Sequence, residues 1–274
     1  MALTAMTHTQ LSQLPVVLVF AGLDPCGGAG IQADIEAIAA QGCHAASIVT
    51  CLTVQDTRNL YRSSPVNADL VRHQAQILCA DVPIAAIKLG LLGSIAMVET
   101  VSAFLHEHKS HIPVICDPVL AAGGGQELAT AHLLEVMREI LLPQVSLLTP
   151  NSLEARRLAG CENLAEAAHK LCEFGCQQVL ITGTHESSER VEHRCYNADG
   201  CFDVQSWERL PGEYHGSGCT LAASLAAQLA QGKPLVEALT QAQSYTWHTL
   251  QAAFQIGQGQ AIPRRYSPVK SSAY

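Results

Sequence analysis

Val16–Asp34, VVLVFAGLDPCGGAGIQAD, reads as a buried strand that runs into a glycine-rich loop and then a helix. The strand candidate Val16–Ala21 is apolar at consecutive positions, the pattern of a parallel strand covered on both faces. Four glycines fall within Gly22–Gly30, which suits a backbone that approaches a ligand closely or takes positive φ. The same glycines would also serve a tight turn that binds nothing. Gly28-x-Gly30-x-x-Ala33 formally fits a dinucleotide fingerprint. The fit is poor: six residues separate Ala21 from Gly28, whereas a dinucleotide loop turns into its helix directly after the strand.

The strand–loop–helix pattern repeats along the chain. Further short apolar runs at Ala46–Thr53, Ala85–Leu89, Pro113–Asp117, Leu147–Thr149 and Gln178–Thr182 read as buried strands. Helical patterns occupy Ala29–Gln41, Ala68–Ala80, Ser94–His106, Ala131–Leu141, Leu153–Leu158, Leu164–Glu173 and Gly218–Ala230. Such alternation predicts a single α/β domain with a mostly parallel central sheet and helices on both faces. Arg194–Phe202 departs from it and reads as a hairpin turning at Asn197–Gly200. Residues 1–14 are expected to be a flexible N-terminus, 15–257 the domain, and the polar, proline-bearing 258–274 a C-terminal tail or edge extension.

Composition narrows the function classes. The chain has 274 residues and a formal net charge of −8, with no basic cluster beyond Arg156-Arg157 and Arg264-Arg265. That argues against nucleic acid or an anionic membrane surface as partner. No run reaches the length of a membrane helix, and residues 1–13 lack the basic and apolar regions of a signal peptide. Eleven cysteines without a CxxC suggest reduced thiols in a cytoplasmic protein rather than a disulfide scaffold or structural zinc. His106, His108 and His111 bridge a helix end and a strand start, where a solvated loop is the simpler reading than a metal site.

In an open parallel sheet, ligands bind beyond the carboxyl ends of the strands, so the residues there are the candidates. Gly216-Ser217-Gly218-Cys219-Thr220 precedes a small-residue helix. Glycines there free backbone N–H groups for an anion, and the helix dipole adds favourable potential. Cys219 would sit in the first turn, where a thiolate is stabilised and its pKa is expected to fall. A buried, inert cysteine behind a glycine cap fits the same residues. Asn151 and Glu154 follow a strand and could serve Mg²⁺ through water or orient phosphate oxygens. Equally, they form a helix-capping box. Gln55 could read a heteroaromatic ring through its amide.

Gly22–Asp34, Gln55-Asp-Thr, Lys88-Leu-Gly-Leu-Leu92, Asp117-Pro-Val, Leu148–Ala155 and Gly216–Thr220 occur in this order. Together they resemble the hydroxymethylpyrimidine/phosphomethylpyrimidine kinases, thiamine-biosynthesis members of the ribokinase-like superfamily. The resemblance runs from about Val16 to Gln231. It implies a ribokinase-like domain that uses ATP and Mg²⁺ to phosphorylate the hydroxymethyl group of 4-amino-5-hydroxymethyl-2-methylpyrimidine, in a chain whose relatives are often homodimers. It also implies residue roles. Gly22, Ala29, Asp34, Gln55, Leu91 and Val119 would line the pyrimidine pocket. Asn151, Glu154, Thr182 and Ser217 would face the nucleotide phosphates, with Glu154 serving Mg²⁺ through water. Gly216 and Gly218 would form the anion hole, and Cys219 would act as the base.

Several positions depart from the family pattern. Where the family usually has lysine, this chain has Gly123 and Thr182; where it usually has serine, this chain has Cys26; and Leu91 replaces a frequent methionine. Losing two cations matters most for an acceptor that already carries phosphate. The free alcohol is therefore expected to be the better acceptor, with the second phosphorylation weak. A pyridoxal or pyridoxine kinase of the same superfamily, or a non-catalytic pyrimidine binder, are the alternative readings. Gln55 favours the pyrimidine, since pyridoxal-directed relatives often carry an apolar residue there.

Overall fold

The computed structural model describes residues 13–108, 111–121 and 125–266. Residues 1–12 of the expected N-terminus, Gly123, and residues 267–274 of the expected tail lie outside the described residues. In chain order the elements are β1 (Val16–Leu23), α1 (Gly30–Ala40), β2 (His44–Gln55), β3 (Leu60–Pro65), α2 (Ala68–Asp81), β4 (Ile84–Leu89), α3 (Ile95–His108) and β5 (Val114–Cys116). They continue as α4 (Ala131–Val136), β6 (Leu147–Leu148), α5 (Ser152–Ala159), α6 (Leu164–Glu173), β7 (Gln178–Thr182), β8 (Arg190–Asn197), β9 (Gly200–Glu208), α7 (Ser217–Ala230) and α8 (Leu235–Gln251).

One sheet of nine strands has the order β3-β2-β1-β4-β5-β6-β7-β8-β9. The six strands from β2 to β7 in this order pair in parallel, while β3, β8 and β9 pair antiparallel. The chain runs outward from β1 through β2 to β3, then returns to place β4 on the other side of β1. That reversal between β1 and β4 opens the crevice in which doubly wound sheets hold ligands.

Alternate residues of β1 feed two cores, as a period-two strand covered on both faces must. Val17, Val19 and Ala21 pack with Ile31 and Ile38 of α1, Leu221 and Leu225 of α7, and Leu239 of α8. Leu18 and Phe20 face the opposite layer, with Val71 of α2, Val101 of α3, Leu158 of α5 and Leu171 of α6. Each leucine or isoleucine fully withdrawn from water contributes about 1.5–3 kcal/mol. α7 buries almost its whole circumference, from Thr220 to Gln228. Its alanines and serines make this possible by letting it lie close to the sheet, α1 and α8.

Two elements have no counterpart in the sequence pattern. β3, LYRSSP, is a mostly exposed edge strand with polar residues and a terminal proline. The buried stripe of α8 includes Gln243, Thr246 and Thr249 beside Ala238, Leu239 and Ala242, so polar residues blur its apolar period. The hairpin is longer than the sequence suggested, because β8 and β9 pair from Arg190 to Glu208. The stretch from 258 is a packed strap through residue 266: Ala261 and Ile262 form bridges with Tyr214 and Phe254, and Ile262 and Arg265 are buried.

Candidate active site

The loop between β1 and α1 is organised by Asp24, a buried residue without an assigned role in the sequence reading. Its carboxylate accepts the N–H groups of Cys26 and Ala29, each at 2.8 Å, and lies 2.8 Å from Nε2 of His215. Burial would raise its pKa. The hydrogen bonds from His215, Gln55 and Cys26 overcome burial and hold it at about 2. Asp24 thereby caps the approach to α1 from within the loop, a task that N-cap Ala29 cannot perform with its own side chain.

Gly28 and Gly216 allow this loop to touch the entrance of α7. A Cβ on Gly28 would overlap the His215 ring, and one on Gly216 would overlap the Gly28 carbonyl. Gly216 also has φ of 82° as the N-cap of α7, a region that side chains disfavour. The sequence-predicted anion hole, Gly216, Ser217 and Gly218, is therefore at the N-terminus of a 14-residue helix, directly against the Gly22–Gly30 loop. Helix dipole and free N–H groups both favour an anion there.

Behind the anion hole lies a buried charge cluster. Lys88 of β4 and Asp34 of α1 form a 2.9 Å ion pair with no solvent exposure. Burial raises the pKa of Asp34 to about 6 against the lowering effect of Lys88. The Lys88 ammonium, penalised by burial, is held charged by Asp34 and then by Cys219 and Asp117. Asp34 was expected in the pyrimidine pocket. It lies beneath the loop, fully buried, and pairs with Lys88.

Cys219 stands in the first turn of α7 and is part-exposed. The expected fall of its pKa is not found. Close packing around the sulfur and the carboxylate of Asp117 push the thiol up to about 12, and Lys88 only partly offsets them. Burial, the largest effect, and the full charge of Asp117 both disfavour a thiolate, whereas a helix N-terminus offers only partial charge. Asp117 is itself raised by burial, against the lowering effects of Lys88, the Cys219 thiol and the Val119 N–H. A Cβ on Gly218 would come 3.7 Å from its carboxylate. Sulfur and carboxylate thus meet where the N-termini of α1 and α7 converge, for the Gly30 N–H also acts on Cys219.

Other predicted residues fall around this centre. Gln55 ends β2 beside Asp24, and its carbonyl faces the Cys26 thiol. Leu91 flanks Gly22, where a Cβ would lie 3.4 Å from Leu91 Cδ2. Val119 has φ of 30°, a strained conformation for a β-branched residue, and it turns the loop after β5 over Asp117. Ala29 is the N-cap of α1.

The nucleotide-side candidates are knit into structure. Asn151 and Glu154 form a capping box at 2.9 and 3.0 Å, and Glu154 Oε1 also accepts the Leu120 N–H at 3.1 Å. Burial and the charge of Asp117 raise Glu154 to about 7. Thr182 ends β7 and donates its N–H to the Pro150 carbonyl at 3.0 Å. The cations nearby hold loops. Arg209 donates to the carbonyls of Thr184, Glu186 and Ser188, and Arg156 makes a two-pronged pair with Glu186 at 2.7 and 3.0 Å.

Among the described residues, no group of three or more His, Cys, Asp and Glu could hold a metal, and no helix is long and apolar enough to cross a membrane. His108 stacks on Phe104. A groove of about 730 Å³ lies beside this centre, lined by Arg58, Glu213, Tyr214 and Phe254 among others, and by none of the predicted residues. Sequence reasoning gave no role to Asp24, Lys88, Asp117, His215 or Arg265. The first three were in quoted motifs and His215 directly precedes the Gly-Ser-Gly loop, so adjacency was the available signal. Arg265 carried none.

A family model described as phosphomethylpyrimidine kinase matches residues 24–264. The chain is 37% identical over 252 residues to a hydroxymethylpyrimidine/phosphomethylpyrimidine kinase of Mycobacterium tuberculosis, covering 89% of this chain and 91% of that protein. It is 35% identical over 254 residues to the thiamine biosynthesis bifunctional protein ThiED of Geobacter sulfurreducens, covering 89% of this chain but only 50% of that longer protein. Among solved structures, a Bacillus subtilis pyridoxal kinase in an ADP complex superposes with a TM-score of 0.84 at 27% identity, covering 92% and 98% of the two chains. A phosphomethylpyrimidine kinase of Clostridium difficile superposes at 0.74 with 24% identity, covering 85% and 98%.

Proposed function

Since the chain belongs to the phosphomethylpyrimidine kinase family, we propose that it transfers the γ-phosphoryl group of ATP to the hydroxymethyl oxygen of 4-amino-5-hydroxymethyl-2-methylpyrimidine, a step of thiamine biosynthesis. The observation that carries this reading is the convergence of two helix N-termini on Cys219 and Asp117, with the Asp24 loop and Gln55 alongside.

The residues present suggest how the proton leaves. With the thiol raised to about 12, Cys219 is no standing thiolate at neutral pH. As the alcohol oxygen attacks the γ-phosphorus, its proton passes to the sulfur while the thiol proton passes to the Asp117 carboxylate. The bond from phosphorus to the bridging oxygen breaks, and ADP leaves. Asp117 suits this role because burial makes it a stronger acceptor than an exposed carboxylate. Charge developing on the transferred group meets the N–H groups at Gly216, Ser217 and Gly218.

Mg²⁺ fits the donor set. Glu154 and Asp117 are buried carboxylates, and Asp117 raises Glu154 while Lys88 acts on Asp117. Both Glu154 oxygens already accept backbone N–H groups, so it would hold the ion through water, with Asp117 beside it. When bound, the ion would supply charge neutralisation at the phosphates.

A panel assay tests the reading: free and phosphorylated pyrimidine alcohols and pyridoxal with ATP. The expected result is the highest kcat/KM on the free pyrimidine alcohol. A higher value on pyridoxal would move the chain to the activity named for its Bacillus subtilis structural neighbour. ATP turnover without any phosphorylated alcohol would remove the kinase assignment.

A further inference from the structure

Arg265 lies one residue beyond the matched family region, in a stretch whose sequence suggests a tail. Its side chain is fully buried. Nε donates to Thr220 Oγ1 of α7 at 2.8 Å, Nη1 to the Gly27 carbonyl at 3.3 Å and to Glu36 of α1 at 3.2 Å, and Nη2 to the Gly28 carbonyl. One planar guanidinium therefore joins the acceptor-side loop, α1 and the first turn of α7. Its fork of five donors in a fixed plane suits this, and an ammonium could satisfy only part of it.

The rest of the strap acts in the same direction. Gln260 N–H and Gly259 N–H both donate to Thr57 at 3.0 Å, to its carbonyl and its hydroxyl, fixing the loop between β2 and β3. The Ala261 N–H donates to the Glu213 carbonyl at 3.0 Å, and the His215 N–H donates to the Ala261 carbonyl at 2.9 Å. Residues 257–265 thus lace together the three loops that surround the acceptor and the anion hole.

We propose that Arg265 is a positioning residue: from the C-terminal strap it fixes the Gly27–Gly28 backbone to the head of α7, and so sets the distance between the acceptor alcohol and the phosphoryl-binding amides. The proposal rests on the phosphoryl-transfer reading above. Misplacement of reacting groups by about 1 Å costs up to about 100-fold in rate, so Arg265→Lys is expected to lower kcat about 10- to 100-fold. KM for ATP should change less than kcat, because Asn151, Glu154 and Thr182 are untouched. Thr220→Val, which removes one anchor and keeps the charge, should give a smaller change of the same kind. Glu36→Gln, which leaves the bonds to both carbonyls and Thr220, should keep kcat within about twofold.

The test combines steady-state kinetics with amide hydrogen exchange on the full chain. Faster exchange at the Cys26 and Ala29 amides in Arg265→Lys and Thr220→Val, with the kcat loss measured on folded protein, supports the proposal. Unchanged exchange in both variants overturns it, as does a kcat loss no larger than the unfolded fraction. An equal kcat loss in Glu36→Gln would also overturn it, because that would make the effect one of charge. If the wild-type chain phosphorylates no alcohol, the functional reading fails, while the exchange measurement still decides the clamp.

Discussion

The two sides of the site are built differently. On the acceptor side, around Gly22–Gly30 and Gly216–Thr220, backbone groups are held by side chains that are themselves buried and paired. Asp24 holds the amides of Cys26 and Ala29, Arg265 holds the carbonyls of Gly27 and Gly28, and Lys88 neutralises Asp34. On the nucleotide side, around Asp117–Ala121 and Thr182–Arg190, the arginines hold loop carbonyls and Glu186, while the buried carboxylate of Asp117 raises that of Glu154. The acceptor side carries its own countercharge. On the nucleotide side Lys88 offsets Asp117 only from behind, and the arginines are engaged with loops and Glu186. On the proposed reading, that asymmetry would favour an uncharged acceptor.

The most damaging way to break the acceptor side is at its reacting centre. Cys219→Ala is expected to lower kcat by about 10²–10⁴, the usual range for a lost proton acceptor, with KM for ATP nearly unchanged. Steady-state kinetics check this; activity within twofold of wild type would remove Cys219 from the proton path. Next is Lys88→Met, which leaves Asp34 buried without its partner, so that it must take up a proton or stay charged against burial, and should cost about 3–5 kcal/mol. Urea unfolding reads it, and adding Asp34→Asn to the same chain should restore part of the loss, since the orphaned acid is then gone.

Asp24→Asn probes the loop through pH. With its pKa held at about 2 against an ordinary 3.8, the folded form favours the carboxylate. Its contribution of about 2 kcal/mol is complete above the unfolded value and disappears as pH falls through the folded one. The stability gap between wild type and variant should therefore be full at pH 7, narrow below pH about 4 and close near pH about 2. A gap independent of pH would assign the loss to packing rather than charge.

The smallest expected effect sharpens the comparison from the other side. With Thr182 in place of a lysine, the phosphorylated pyrimidine should be a poorer acceptor than the free alcohol by at least about 10-fold in kcat/KM. Thr182→Lys should narrow that difference by a similar factor, because one added cation near phosphate is worth about 1–3 kcal/mol. Equal turnover of both acceptors by the unaltered chain would show that the asymmetry has no bearing on acceptor choice.

How much of this was legible in the sequence depended on whether the signal was local. β1, its glycine loop and α1 were read in place because consecutive apolar residues followed by glycines can hardly form anything else, and α1 begins at Gly30, one residue from the expected start. α8 was missed because its buried face is half polar, with the Trp207 indole N–H donating to Gln243 Oε1 at 3.1 Å across the packing layer. The Asn151–Glu154 capping box was legible as a box. Its second task, accepting the Leu120 N–H at 3.1 Å, was not, since that partner arrives from another loop.

The sequence alone determined the alternation of strands and helices, the two glycine loops and the residues bracketing them, because each follows from neighbours a few positions apart. Only the tertiary structure decided what those residues do to one another. Asp34 is an ion-pair partner because β4 brings Lys88 beneath it. Cys219 became a neutral thiol because Asp117 and close packing meet it at the head of α7. Arg265 passed from tail to clamp because the strap returns across 238 residues to Gly27. Burial and charge pairing are properties of what folding brings together, and no local pattern carries them.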